Sequence, residues 1–179
     1  MTDATDSSST EALTQASTHE GGCACGVVRY RMQSAPMVVH CCHCSLCQRE
    51  TGSAFAVNAL IERDRVKLLS GDVKLVDTPS NSGKGQRIAR CSACQTALYS
   101  HYAYGNIGDS LCFVRVGTLD DPSQMPPDVH IFTDSRQPWV QLPVGAPSYA
   151  QFYKASDVWS EGSLQRRAAL FATAASRAS

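Results

Sequence analysis

Residues 22–30 read Gly22-Cys23-Ala24-Cys25-Gly26-Val27-Val28-Arg29-Tyr30, and residues 91–94 read Cys91-Ser92-Ala93-Cys94. In an extended segment, residues i and i+2 project from one face. Cys23 and Cys25 can therefore converge on one ion, and their flanking glycines permit the backbone bends this needs. The C-x-x-C at 91–94 is a knuckle at the end of a predicted strand, turning both sulfurs inward. Together the two pairs supply four thiolates, the donor set of a closed tetrahedral zinc site. Such an ion would pin the start of a domain to its middle and contribute to folding directly.

Between these pairs lies a denser run, His40-Cys41-Cys42-His43-Cys44-Ser45-Leu46-Cys47. Cys42, Cys44 and Cys47 form C-x-C-x-x-C, three thiolates from one short loop. A zinc ion held by three protein ligands keeps its fourth position open, the hallmark of catalytic zinc. That position suits a substrate thiol, which coordination would deprotonate. Two other pairings stay open on spacing alone. Cys44-x-x-Cys47 with Cys91-x-x-Cys94 would make a zinc ribbon. A thioredoxin-like redox pair at Cys44 and Cys47 would need a βαβ context that the pattern lacks. Cys41, adjacent to Cys42, is left out of the ligand set, and Cys112 in Leu-Cys-Phe-Val reads as a small core residue.

Eight of the nine cysteines fall in these three groups, a distribution unlike a disulfide framework. The first twenty residues carry neither a cationic start nor an apolar stretch, so a reducing cytoplasm is the expected compartment. Residues 1–20 are Ser/Thr-rich and read as a disordered tail, with the folded part starting at Gly21. The chain has 179 residues, with 16 basic and 16 acidic side chains, and 43% of it is hydrophobic. This supports one domain, and the neutral balance argues against nucleic acid or an anionic membrane as partner.

Short alternating or apolar segments bounded by turn residues predict strands over 27–32, 54–61, 66–69, 73–77, 87–91, 98–102, 111–117 and 129–133. No regular βα alternation appears, so the fold is expected to be mainly β and antiparallel. Leu164, Ala168, Phe171 and Ala175 fall at helical spacing and predict a C-terminal helix over 163–176. The domain is expected to span 21–156, with a helical extension over 157–179.

The ordered strings GGCACGVVRY, HCCHCSLCQRETGSAF, RCSACQTALYS, VGTLDDP and HIFTDSRQPW resemble the glutathione-dependent formaldehyde-activating enzyme family, which includes centromere protein V. The resemblance covers about 21–139. It implies a β-tent fold with two zinc ions per chain. One would be structural, on Cys23, Cys25, Cys91 and Cys94; the other would be catalytic, on Cys42, Cys44 and Cys47. It also implies carbon–sulfur lyase chemistry, condensing formaldehyde with glutathione. Gln95 departs from the pattern, since the family has glycine after the second knuckle; glycine tolerates a left-handed turn that glutamine adopts less readily.

On this reading a small thiol such as glutathione binds as thiolate at the three-cysteine site and attacks a small aldehyde. His43, flanked by two ligands, is the candidate to relay the proton or orient a ligand. Arg49, Lys84 and Arg87 are candidates to meet a substrate carboxylate, whereas His130 and Trp139 read as core or edge residues. The rival reading is a zinc-stabilised binding module without chemistry.

Overall fold

The computed structural model describes residues 18–102 and 105–177; of the tail expected over 1–20, positions 1–17 lie outside the described residues. Strands β1 (His19–Gly22), β2 (Arg29–Met32) and β5 (Val66–Ser70) form a three-stranded antiparallel sheet in the order β1-β2-β5. The larger sheet holds β3 (Val38–Cys42), β4 (Ala56–Glu62), β6 (Val73–Thr78), β7 (Gln86–Cys91), β8 (Ala97–Tyr102), β9 (Leu111–Arg115) and β10 (Val129–Ile131). Its order is β10-β3-β4-β9-β8-β7-β6.

All eight predicted strands are present, with ends moved by at most two residues. Two strands were not predicted. β3 is buried along its whole length, so it carries no period-two signal. β1 is short and half glycine, and it starts at His19, inside the segment that composition assigns to the tail. The fold is mainly β and its strand pairs are antiparallel as expected, except that β10 runs parallel to β3. Asp128 fixes that direction: its carboxylate accepts the Val39 N–H at 2.7 Å and its own N–H donates to the Val39 carbonyl at 2.9 Å. The chain therefore enters β10 at the start of β3.

Alternation along the strands divides the core in two. Tyr30 and Met32 of the small sheet pack against Val39, Ala59, Ile61 and Val114 of the large one. On the opposite face of the large sheet, Val38, Leu60, Leu111, Val129 and Ile131 pack with Cys42, Cys44 and Cys47. That second face is covered by Tyr153, Trp159 and helix α2 (Glu161–Arg177), which contributes Leu164 and Phe171. The helix extends two residues earlier and one later than its apolar spacing predicts. Ser160 supports its start, accepting the Ser163 N–H at 3.2 Å.

Helix α2 is tied to the sheet by Arg166, whose Nε donates to Glu62 at 2.7 Å and whose NH1 donates to the Ala35 carbonyl at 3.0 Å. Burial works to raise the Glu62 carboxyl, but hydrogen bonding and charge from Arg166 outweigh it and hold it below its ordinary value. The sign follows: this stabilisation is complete above the unfolded carboxyl's value of about 4.3 and is lost as pH falls through the lower folded value. Amide exchange in α2 is accordingly expected to quicken on acidification into that window. Glu62→Gln should abolish this pH dependence and cost roughly 1.5–3 kcal/mol at neutral pH.

Candidate metal centre and active-site cavity

Cys23 and Cys25 sit in the hairpin turn between β1 and β2, closed by Cys23 N–H to Val28 O and Gly26 N–H to Cys23 O, both at 3.0 Å. Their convergence thus comes from a turn rather than from strand alternation. Cys91 ends β7, and the Gln95 N–H returns to its carbonyl at 3.0 Å, forming the expected knuckle. The Cys23–Cys25 and Cys25–Cys91 sulfurs are 3.3 and 3.9 Å apart, and the four sulfurs, Cys94 included, lie within 4.8 Å of one another. A tetrahedron with zinc–sulfur bonds of ~2.3 Å has sulfur–sulfur edges of roughly 3.8 Å, so the donors fit zinc with small adjustments. Such an ion would join a hairpin of the small sheet to a hairpin of the large one. The Cys94 thiol is drawn down to about 5, chiefly by Thr96 through its hydroxyl and backbone.

Gln95 adopts φ +60°, the left-handed conformation its position after the knuckle demands. Glycine reaches this region without the penalty of roughly 1–2 kcal/mol that a Cβ incurs. Gln95→Gly is expected to raise stability by about 1 kcal/mol, read as a higher urea midpoint at unchanged slope.

The three sulfurs of Cys42, Cys44 and Cys47 also lie within 4.8 Å of one another. They do not come from one short loop. Cys42 ends β3, Cys44 is the N-cap of helix α1 (Ser45–Thr51), and Cys47 lies in its first turn. The Cys44 sulfur accepts the Cys47 N–H at 3.4 Å. Hydrogen bonds from Cys42 and Cys47, then the N–H groups at the helix start, pull the Cys44 thiol down to about 2, while the same contacts push Cys42 up. Three sulfurs this close oppose one another's ionisation, and a bound metal removes that conflict.

Gln48 fastens α1, donating to the carbonyls of His43 at 2.6 Å and Ser135 at 2.9 Å. Close by is Arg115, only 6% exposed, whose NH1 donates to Asn58 Oδ1 at 2.6 Å. Its Nε and NH2 have no hydrogen-bond partner, and no ion pair to it is found among the described residues. The Cys42 hydrogen bond lowers the Cys47 thiol, but the Cys44 contact and charge together with burial outweigh it and push Cys47 up to about 11. The Arg115 charge offsets only part of that rise. A buried cation without a carboxylate requires negative charge nearby. Three thiolates on a divalent ion carry one net negative charge, so this donor set and its surroundings fit zinc.

The same three cysteines line a cavity of about 360 Å³, with Leu60, Leu111, Phe113, Phe132, Phe152 and Trp159 among its apolar walls. His40 and Tyr102 also line it. Tyr153 secures the C-terminal part of the wall: its hydroxyl meets His40 Nε2 at 2.6 Å and accepts the Trp159 indole N–H at 2.7 Å. Burial raises the Tyr102 phenol well above its ordinary value, so it stays protonated.

His43 is not part of that lining. Cys41, His43 and His130 project from the opposite face of the large sheet, and all three are buried. His43 Nε2 lies 3.0 Å from His130 Nδ1 and 3.6 Å from the Cys41 sulfur, a hydrogen-bonded chain that sequence reasoning missed. The sequence signal for it is the i, i+2 spacing of Cys41 and His43, which places both on one face where the chain is extended. Of the proposed anion partners, Arg87 pairs with Asp109, Arg49 and Lys84 are exposed, and none of the three lines the cavity. Trp139, read as core or edge, is 72% exposed, whereas Cys112 is buried as expected.

Fold and site define a mainly β protein with two cysteine clusters able to hold metal. The family model described as glutathione-dependent formaldehyde-activating enzyme matches residues 18–135, and the chain belongs to that family. A Halomonas elongata protein, provisionally named as a glutathione-dependent formaldehyde-activating enzyme, is 26% identical over 129 residues, which cover 69% of this chain and 80% of that protein. A crystal structure of a Rhodobacter sphaeroides protein aligns with TM-score 0.42 and 17% identity, covering 59% of this chain and 93% of that one. Among the described residues, no helix is long and apolar enough to cross a membrane.

Proposed function

We propose that the protein adds a thiol to formaldehyde or a related small aldehyde at the Cys42/Cys44/Cys47 site, a carbon–sulfur lyase reaction, with a second zinc held for structure by Cys23, Cys25, Cys91 and Cys94. The observation that carries this reading is the convergence of three sulfurs on an apolar cavity, with the unpaired charge of Arg115 nearby. The family description names glutathione and formaldehyde, which makes that pair the starting point for assay.

When bound, zinc supplies a Lewis acid that favours an incoming thiol as thiolate at neutral pH. The three cysteines hold and orient that centre, and Arg115 balances its charge. Apolar walls exclude water, which strengthens every electrostatic contact inside. In the addition, the thiol sulfur forms a bond to the carbonyl carbon, the carbonyl π pair moves onto oxygen, and the thiol proton ends on that oxygen. Nothing is released. Tyr102, protonated and on the cavity wall, is suited to donate a hydrogen bond to the developing oxyanion; His43, on the other sheet face, is not.

The test is thiol-dependent aldehyde consumption by the zinc-loaded protein, run with glutathione and with an apolar thiol. Tyr102→Phe is expected to lower turnover by on the order of 10²-fold with little change in KM. Absence of turnover with every thiol, together with one zinc per chain, would favour a zinc-stabilised binding module.

A further inference from the structure

The cavity walls bear on which thiol enters. Gln151, Phe152 and Trp159 lie after residue 135, beyond the matched family region, so this chain's own C-terminal segment completes the site. Their neighbours Leu60, Phe113 and Phe132 continue the same apolar surface. Among the described residues, no Lys, Arg, Asp or Glu lines the cavity. Arg115, the buried cation nearby, faces Asn58 and the charge of the thiolate cluster. The loop residues Ser80, Asn81 and Ser82 lie on the wall, while their neighbour Lys84 does not.

Glutathione carries two carboxylates and an ammonium group. Within these walls those charges would lose water and meet only neutral polar groups such as Asn58, Asn81, Gln86 and Gln151. No opposite charge stands on the lining among the described residues, and desolvation costs several kcal/mol per ion. An uncharged body meets the opposite balance, because each aromatic or aliphatic group buried against Phe113, Phe152 and Trp159 is favourable. A volume of about 360 Å³ lies at the small end of the usual range for ligand sites.

We propose that the cavity selects an uncharged thiol with an aromatic or branched aliphatic body over a charged tripeptide thiol. This rests on the reading of Cys42, Cys44 and Cys47 as the thiol-receiving metal site. Selectivity comes from the apolar wall completed by Phe152 and Trp159, and from the lack of any cation there among the described residues.

The test loads the full chain with cobalt(II) and follows the thiolate-to-metal absorption bands during titration with benzyl mercaptan or glutathione. Benzyl mercaptan is expected to bind at least about 10-fold more tightly. Phe152→Ala, at a half-exposed position where folding should be spared, is expected to weaken benzyl mercaptan about 10-fold and narrow its lead. Trp159→Phe provides a second variant, expected to reduce the same preference by a smaller factor. Glutathione binding as tightly as benzyl mercaptan, or a preference untouched by both variants, would overturn the selectivity while leaving the thiol-receiving site intact. Bands that neither thiol alters would overturn the parent reading, and the selectivity with it.

Discussion

Cys94→Ser is expected to destabilise the domain to the point where the native state no longer dominates at physiological temperature. A closed thiolate zinc site contributes roughly 10–16 kcal/mol to folding, whereas whole domains are stable by only about 5–15 kcal/mol. The four sulfurs connect the β1–β2 turn, in the small sheet, to the β7–β8 knuckle in the large one. Loss of one donor weakens that clasp and leaves the small sheet held by packing such as that of Val28, Tyr30 and Met32 and by contacts such as Tyr30 with Thr118. Thermal or urea unfolding with and without a chelator measures the effect. An unfolding curve that the substitution leaves unchanged would show that these sulfurs do not clasp the fold.

Cys44→Ser is expected to act in the opposite way, abolishing turnover while leaving the fold intact. Cys44 is the N-cap of α1, a position at which serine is among the preferred residues. The helix therefore keeps its cap, and Gln48 still anchors it through His43 and Ser135. Strand β3 remains paired to β4 and β10. The cap itself should change by no more than about 1 kcal/mol, so the fold persists with the further loss limited to the charge that the cluster sets against Arg115. The three-thiolate donor set is broken, however, and removing several kcal/mol of Lewis-acid assistance lowers the rate by on the order of 10³-fold or more. Steady-state kinetics and circular dichroism on the same preparation check both halves.

The separate cysteine groups were legible because each is local: a C-x-C turn, a C-x-x-C knuckle and a C-x-C-x-x-C run hold their sulfurs within a few residues of chain. The same holds for the strands that alternate and for the apolar stripe of α2. Spacing left open which group joins Cys91 and Cys94, a contact that spans 66 residues from Cys25. Contacts set by long-range register were not legible. Arg115 meets Asn58 because β9 and β4 pair at those two residues, and no property of either residue announces it. His130 reaches His43 because β10 lies parallel beside β3, an arrangement fixed by Asp128. Burial of β3 on both faces hid its period, so the dense cysteine run read as a loop rather than a strand leading into a helix. Phe152 and Trp159 reach the cavity through the Tyr153 hydroxyl and its bonds to His40 and Trp159, across more than a hundred residues of chain. Gln95 is the opposite case: its place directly after the C-x-x-C pair, where a left-handed turn was expected, is visible in sequence and corresponds to a left-handed backbone in the fold.

The division of seven cysteines into a set of four and a set of three is tested most directly by zinc content per chain in the unaltered protein and in Cys44→Ser and Cys94→Ser. Two ions are predicted in the first. Cys44→Ser should keep one, resistant to chelator, whereas Cys94→Ser should lose the resistant ion together with its fold. A single ion in the unaltered protein, lost alike on substitution of Cys44 or Cys94, would mean that the two sets share one site and would contradict the account.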